Sequence, residues 1–162
     1  MLQILFSWYD SHLHAFTSYP APGSPPRRFA ASSPYGDSVG DGEPEAKTRL
    51  DQVLHEPGDL LFYTYDFGDS WEHVITLEEV RPLGSGEEPP RVLGGEGAAP
   101  PEDCGGVPGY ENLVAILTDP AHEEYDEMSE WFEDIGDVPA ADFDPAFVDL
   151  EDLDRRVRAS VV

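Results

Sequence analysis

Two runs rich in aromatic and β-branched residues, joined by one nonapeptide, constrain this chain more than anything else in it. Gly58 to Tyr65 reads Gly-Asp-Leu-Leu-Phe-Tyr-Thr-Tyr, and Val74 to Val80 reads Val-Ile-Thr-Leu-Glu-Glu-Val. Such compositions favour strands. Between them lies Tyr65-Asp66-Phe67-Gly68-Asp69-Ser70-Trp71-Glu72-His73, so the pattern predicts a β-hairpin with acids and a histidine at its tip. In the first strand Leu60, Phe62 and Thr64 share one face, and Leu61, Tyr63 and Tyr65 the other. Both faces are largely apolar, which predicts a central strand covered on both sides. In the second, Trp71, His73, Ile75 and Leu77 oppose Glu72, Val74, Thr76 and Glu78. That alternation predicts one wet face, with His73 on the core side.

The remaining elements follow from periodicity. Leu2 to Trp8 fits a short helix with Leu2, Leu5 and Phe6 on one side. His12, His14 and Phe16 alternate with Leu13 and Ala15, as in a strand. Pro20 to Pro26 holds four prolines and reads as an extended loop; Pro34 to Glu45 reads as irregular. Thr48 to Leu54 predicts a short helix or ordered turn with Leu50, Val53 and Leu54 inward. Leu83 to Pro101 reads as a loop. Tyr110 to Thr118 and Glu123 to Phe132 predict amphipathic helices, the first stopped by Asp119-Pro120. Phe143 and Phe147 are expected to plug the core, and Leu150, Leu153 and Val157 to define a last helix with Arg155, Arg156 and Arg158 at its C-terminus.

Charge narrows the function classes. The 162 residues carry 34 acids against 9 Lys plus Arg, a formal net charge of -25, and no Lys or Arg occurs between Arg91 and Arg155. Such a surface repels phosphate backbones, so direct nucleic-acid binding is not expected. A solvating surface, adaptation to high salt and mimicry of a nucleic-acid surface all remain compatible with the acidity. The length suits one domain with a single core, here 1–158 with a tail at 159–162. One cysteine, Cys104, rules out an internal disulfide framework and suits a reducing cytoplasm. No stretch is long and apolar enough to predict a membrane span.

Several residue sets are able to carry chemistry. His12 and His14, two apart on a strand, point to one face, and imidazole suits zinc- or manganese-type ions. Asp66, Asp69 and His73 complete a candidate metal set if the hairpin tip folds beside them, and Glu102, Asp103 and Cys104 offer further ligands. The competing reading makes Asp66 and Asp69 turn-formers and the histidines half-buried packing residues. Asp66-Phe67-Gly68 matches a kinase magnesium motif, but the other kinase elements are missing. Cys104 as a nucleophile is disfavoured by Glu102 and Asp103, which raise a thiol pKa. No catalytic residue is assigned. Gly105-Gly106, Pro108 and Gly109 instead shape the entry into the following helix. Tyr63, Tyr65, Trp71 and Trp8 are either core or an aromatic groove beside acids that suits a peptide. The binding set is then Tyr65, Asp66, Asp69, Trp71 and His73.

Four ordered motifs carry a family resemblance: Ser11-His12-Leu13-His14-Ala15-Phe16, Tyr35-Gly36-Asp37, the hairpin nonapeptide, and Pro100-Pro101-Glu102-Asp103-Cys104-Gly105-Gly106 followed by Gly109-Tyr110. Asp119-Pro120-Ala121-His122 and Phe143-Asp144-Pro145 add weaker matches. From about Leu2 to Asp154 the chain resembles the plasmid pRiA4b open-reading-frame-three-like family, whose members also travel as passengers of insertion elements. Two departures stand out. The start at Met1 looks like the tail of the family's first helix, which implies that an N-terminal strand is missing, with an exposed sheet edge and a marginally stable or oligomerising product. Ala99 stands where many members have a second cysteine, which weakens a cysteine-pair metal site. The resemblance implies a fold rather than an activity.

The expectation is therefore an α+β domain: a small, mainly antiparallel sheet with a central hairpin and helices packed on it. The function expected is a non-catalytic binding or interaction module with a protein or peptide partner, accessory to a plasmid or mobile element. The alternative is an enzyme dependent on a divalent metal held by His12, His14, Asp66, Asp69 and His73.

Overall fold

The computed structural model describes residues 1–21, 23–31, 42–82, 90–136 and 138–160. The Tyr35-Gly36-Asp37 motif and Leu83 to Pro89 of the expected loop lie outside them. The fold is α+β, with a five-stranded, mostly antiparallel sheet and four helices among the described residues. It divides into two compact units, Met1–Ser11 with Gly86–Val162, and His12–Ser85.

The second unit holds the whole sheet. Its strands are β1 (His14–Ser18), β2 (Arg27–Ala30), β3 (Glu43–Pro44), β4 (Leu60–Tyr65) and β5 (Trp71–Thr76), in the order β3-β2-β1-β4-β5. Among the described residues only the β2–β3 pair is parallel. The hairpin joins β4 to β5 in the register Tyr65↔Trp71, Tyr63↔His73 and Leu61↔Ile75. The neighbouring register sets His14 beside Tyr65 and Phe16 beside Tyr63. Directly paired residues share a face, so one face carries Phe29, Phe16, Tyr63 and His73 in a single row, with His14, Tyr65 and Trp71 in the next. That face is buried: Leu61, Tyr63, Tyr65, Trp71 and Phe29 are all closed to solvent.

The opposite face is open, which corrects the expectation that β4 is covered on both sides. Leu60 is 44% exposed against 2% for Leu61, and Val74 on β5 is 59% exposed. Phe62 and Thr64 are half-exposed. The strand is central by pairing and one-sided by burial. Strand β2 arises where no strand was expected, because Phe29 and Ala30 pair with Phe16 and Ala15 and are buried. Its charged residues find outlets: Arg27 donates to Glu43 on β3 through two 2.9 Å hydrogen bonds, and Arg28 lies over the Phe67 ring. Leu50, expected inward, is exposed on a 3-10 turn over Leu50–Gln52. So short a turn has too little length to bury a full face.

The first unit is helical. Helix α1 spans Leu2–Leu5, α2 Gly106–Leu117, α3 Tyr125–Ile135 and α4 Leu150–Ala159. Its core joins Leu113 and Leu117 of α2 to Phe132 of α3 and Ala140, with Cys104, Tyr110, Met128, Trp131 and Phe143 packed around them. Phe143 meets Phe132 edge-on at 5.2 Å. Phe147 does not join it: it sits at the end of an Asp144 turn and is 63% exposed. Asp149 caps α4 by accepting from the Asp152 amide at 2.9 Å. No helix among the described residues is long and apolar enough to cross a membrane.

Candidate functional site

Hairpin chemistry fixes the tip between β4 and β5. Asp66 and Ser70 both adopt left-handed backbone angles, φ +52° and +55°, and the Ser70 amide donates to the Asp66 carbonyl at 2.6 Å. Asp tolerates that conformation better than most residues. Its Oδ1 accepts from the Gly68 amide at 2.8 Å, closing the turn locally. The same residue reaches outward to the segment before β1. The Asp66 amide donates to the Leu13 carbonyl at 2.9 Å, the His12 amide donates to the Tyr65 hydroxyl at 3.3 Å, and His12 Nδ1 lies 3.6 Å from Asp66 Oδ2. The His12 ring also meets Tyr65 edge-on. Two of the sequence motifs, Ser-His-Leu-His and the nonapeptide, thus meet at one place, with Asp66 serving both turn and partner.

The other candidates go elsewhere on the buried face. His14 is engaged by Glu45: its Nε2 lies 3.0 and 3.1 Å from the two carboxylate oxygens, tying β1 to the 3-10 turn at Glu45–Lys47. His73 sits across β4 from β1, with its ring 5.6 Å from Tyr63, while His14 flanks Tyr63 from the other side at 5.7 Å. The Tyr63 ring therefore stands between the two histidines. Burial pushes the His73 pKa below its ordinary value, partly opposed by backbone carbonyls of Tyr63 and Trp71. Asp69 is half-exposed on the turn. Of the five candidate ligands, His12 and Asp66 come together; His14 and His73 do not meet.

Of the aromatic candidates, Tyr65 and Trp71 are buried in the packed face. Accessible aromatics also occur on the opposite face. There Tyr19 meets Phe62 edge-on at 5.5 Å, and Thr17, Phe62, Thr64, Val74 and Glu72 outline a shallow groove of about 390 Å³. Strand β5 bounds it and, among the described residues, pairs only with β4. Alternation marked Val74 and Glu72 as the wet face; that Phe62 would share it was hidden by its hydrophobicity.

The Pro-Pro-Glu-Asp-Cys-Gly-Gly motif belongs to the helical unit and has a backbone role. Asp103, Gly105 and Gly106 all have positive φ, at +59°, +90° and +68°. This turns the chain abruptly into α2, and Gly109 then passes so close to the Cys104 carbonyl that a side chain there has no room. Glu102 accepts from the Tyr9 amide at 3.1 Å and from the Ser11 hydroxyl at 2.8 Å, while the Trp8 indole donates to the Pro100 carbonyl at 2.9 Å. The motif thus clamps Trp8 to Ser11.

Comparison with known proteins places the chain among relatives of unknown function. The plasmid pRiA4b ORF-3-like protein family matches residues 1–152. An uncharacterised protein, y4hQ, of Sinorhizobium fredii is 35% identical over 159 residues, covering 97% of this chain and 74% of that protein. The crystal structure of a protein of unknown function, MM3350 from Methanosarcina mazei Go1, superposes with a TM-score of 0.74 at 36% identity, covering 93% of this chain and 77% of that one. The chain belongs to the plasmid pRiA4b ORF-3-like protein family.

Proposed function

We propose that this chain is a non-catalytic binding module that takes an extended, cationic segment of a partner protein along β5 and the open face of the hairpin unit. One observation carries the reading: exposed Val74 and Tyr19, with half-exposed Phe62, lie on or beside β5, an edge strand among the described residues. An edge strand presents backbone groups for strand addition, and pockets for alternate side chains add specificity. Glu72 in the groove and the net charge of -25 favour a cationic partner and disfavour nucleic acid. The single cysteine supports a reducing compartment such as the cytoplasm. The plasmid in the family's name supports a role accessory to a mobile element.

The test uses two labelled synthetic octapeptides, alternating Lys with Val and Glu with Val, titrated by fluorescence anisotropy. The Lys-Val peptide binds, and Val74→Lys weakens it by about tenfold, or about 1.4 kcal/mol, without moving the melting temperature. Equal binding of both peptides, or of neither, refutes the proposal.

A second reading, a metal-dependent enzyme, is favoured by the 3.6 Å approach of His12 to Asp66, which joins an imidazole and a carboxylate, both suited to manganese or zinc. Asp69 lies on the same turn. In that reading zinc or manganese raises the melting temperature of EDTA-treated protein by linkage, and His12→Ala abolishes the rise. The binding-module reading has a melt indifferent to metal.

A further inference from the structure

A second recess lies wholly within the helical unit and shares no residue with the hairpin groove. It measures about 330 Å³ and opens between the start of α2 and the middle of α3, at the small end of ligand-sized cavities. Its floor is Leu113, Met128 and Trp131, its wall Cys104 and Gly109, and its rim Asp103, Asn112 and Glu127. The floor is apolar and aromatic, with Leu113 closed and Met128 and Trp131 half-buried; the rim is polar and exposed.

The chemistry of that lining selects a charge sign. Two carboxylates stand at the rim, and no Lys or Arg occurs in the sequence between Arg91 and Arg155, the stretch that supplies every lining residue. An anion entering here meets repulsion from the rim. A cation meets the carboxylates and an indole, the aromatic ring that attracts cations most strongly, with a thioether beside it. The apolar floor favours a cation that carries alkyl groups over a strongly hydrated metal ion. We propose that this recess binds a small alkylammonium ion, with the ammonium held by the Glu127 carboxylate and its alkyl groups on Trp131 and Met128.

The one cysteine of the chain lines the recess and reports on its occupancy. The experiment measures the rate at which iodoacetamide, an uncharged reagent, alkylates Cys104 in the full-length protein. Choline serves as the alkylammonium probe and 3,3-dimethylbutanol as its uncharged isostere. Saturating choline slows alkylation by about threefold or more, and the isostere does not, as expected of a cation held by a ring and a carboxylate. Glu127→Gln, a change at an exposed side chain, raises the half-protecting choline concentration by about fivefold through loss of one carboxylate. Trp131→Leu abolishes protection. Unchanged alkylation at every choline concentration overturns the proposal. So does equal protection by the isostere, or a half-protecting concentration that Glu127→Gln leaves in place.

Discussion

Substitution of Gly109 by alanine provides a sharp test of how the Glu-Asp-Cys-Gly-Gly segment works. A Cβ at that position would lie 2.7 Å from the carbonyl carbon of Cys104, and closer still to its oxygen. Relief needs a shift on the order of 1 Å, and close-packed surroundings resist it. The segment has little slack, since Asp103, Gly105 and Gly106 already occupy left-handed angles. A shift of α2 strains the Gly109 amide bond to the Gly105 carbonyl, now 3.3 Å, and moves Leu113 in the core. Alanine in an open helix position gains about 1 kcal/mol over glycine. Here overpacking by backbone contact, at about 3 kcal/mol, and disruption of the helix start, at about 1 kcal/mol, outweigh that gain, so the net loss is about 3 kcal/mol. At roughly 2–4 °C per kcal/mol for a chain of this size, the melting temperature falls by about 10 °C. Differential scanning calorimetry reads this directly. Gly94→Ala is the control, because nothing lies within 4 Å of a Cβ there, and its melt stays near wild type. A Gly109→Ala protein that melts with the control refutes the packing argument.

Three further outcomes follow from the hairpin unit. Leu61→Ala costs about 2–5 kcal/mol and Leu60→Ala little, because the first side chain is 2% and the second 44% exposed; urea midpoints that match for the two would contradict the register. Asp66→Ala costs about 1–3 kcal/mol by removing the acceptor for the Gly68 amide at a left-handed residue, whereas Asp66→Asn keeps a side-chain acceptor and loses less. Burial holds the His73 pKa below its unfolded value, so the unfolded chain binds the proton first as pH falls. That contribution is present above the unfolded value near 6.5 and is lost as pH falls through the lower folded pKa. His73→Gln therefore flattens the change in urea midpoint below pH 6.5, and a slope identical to wild type would rule this out.

Much of the fold was legible because it is local. Strict alternation from Trp71 to Thr76 assigned His73 to the packed side, and 3.6-residue periodicity found α2, α3 and α4. Strand β2 was not legible. Arg27 and Arg28 make half of it, and only pairing with β1 and the Glu43 and Phe67 partners make the segment a strand. Sequence alone also mistook hydrophobicity for burial at Leu60, Leu50 and Phe147, each exposed in the fold. The candidate site was half visible. A clustered Asp66 and histidine signalled a tip where segments meet, and His12 does meet it. Which histidine approached Asp66 depended on register: His14 is turned to Glu45, and Tyr63 stands between His14 and His73. The glycines after Cys104 were readable as a helix entry, while the clamp from Glu102 to Tyr9 and Ser11 joins residues more than 90 positions apart and has no local signature.

The proposal that β5 and its open face receive a cationic strand is tested most directly by mapping amide shifts in labelled protein during titration with the Lys-Val octapeptide. The account predicts perturbations concentrated on Glu72 to Thr76 of β5 and on Thr17, Phe62 and Thr64, with slowed hydrogen exchange along β5. Perturbations confined to the helical unit, or spread evenly over acidic surface residues with no protection of β5, would contradict it.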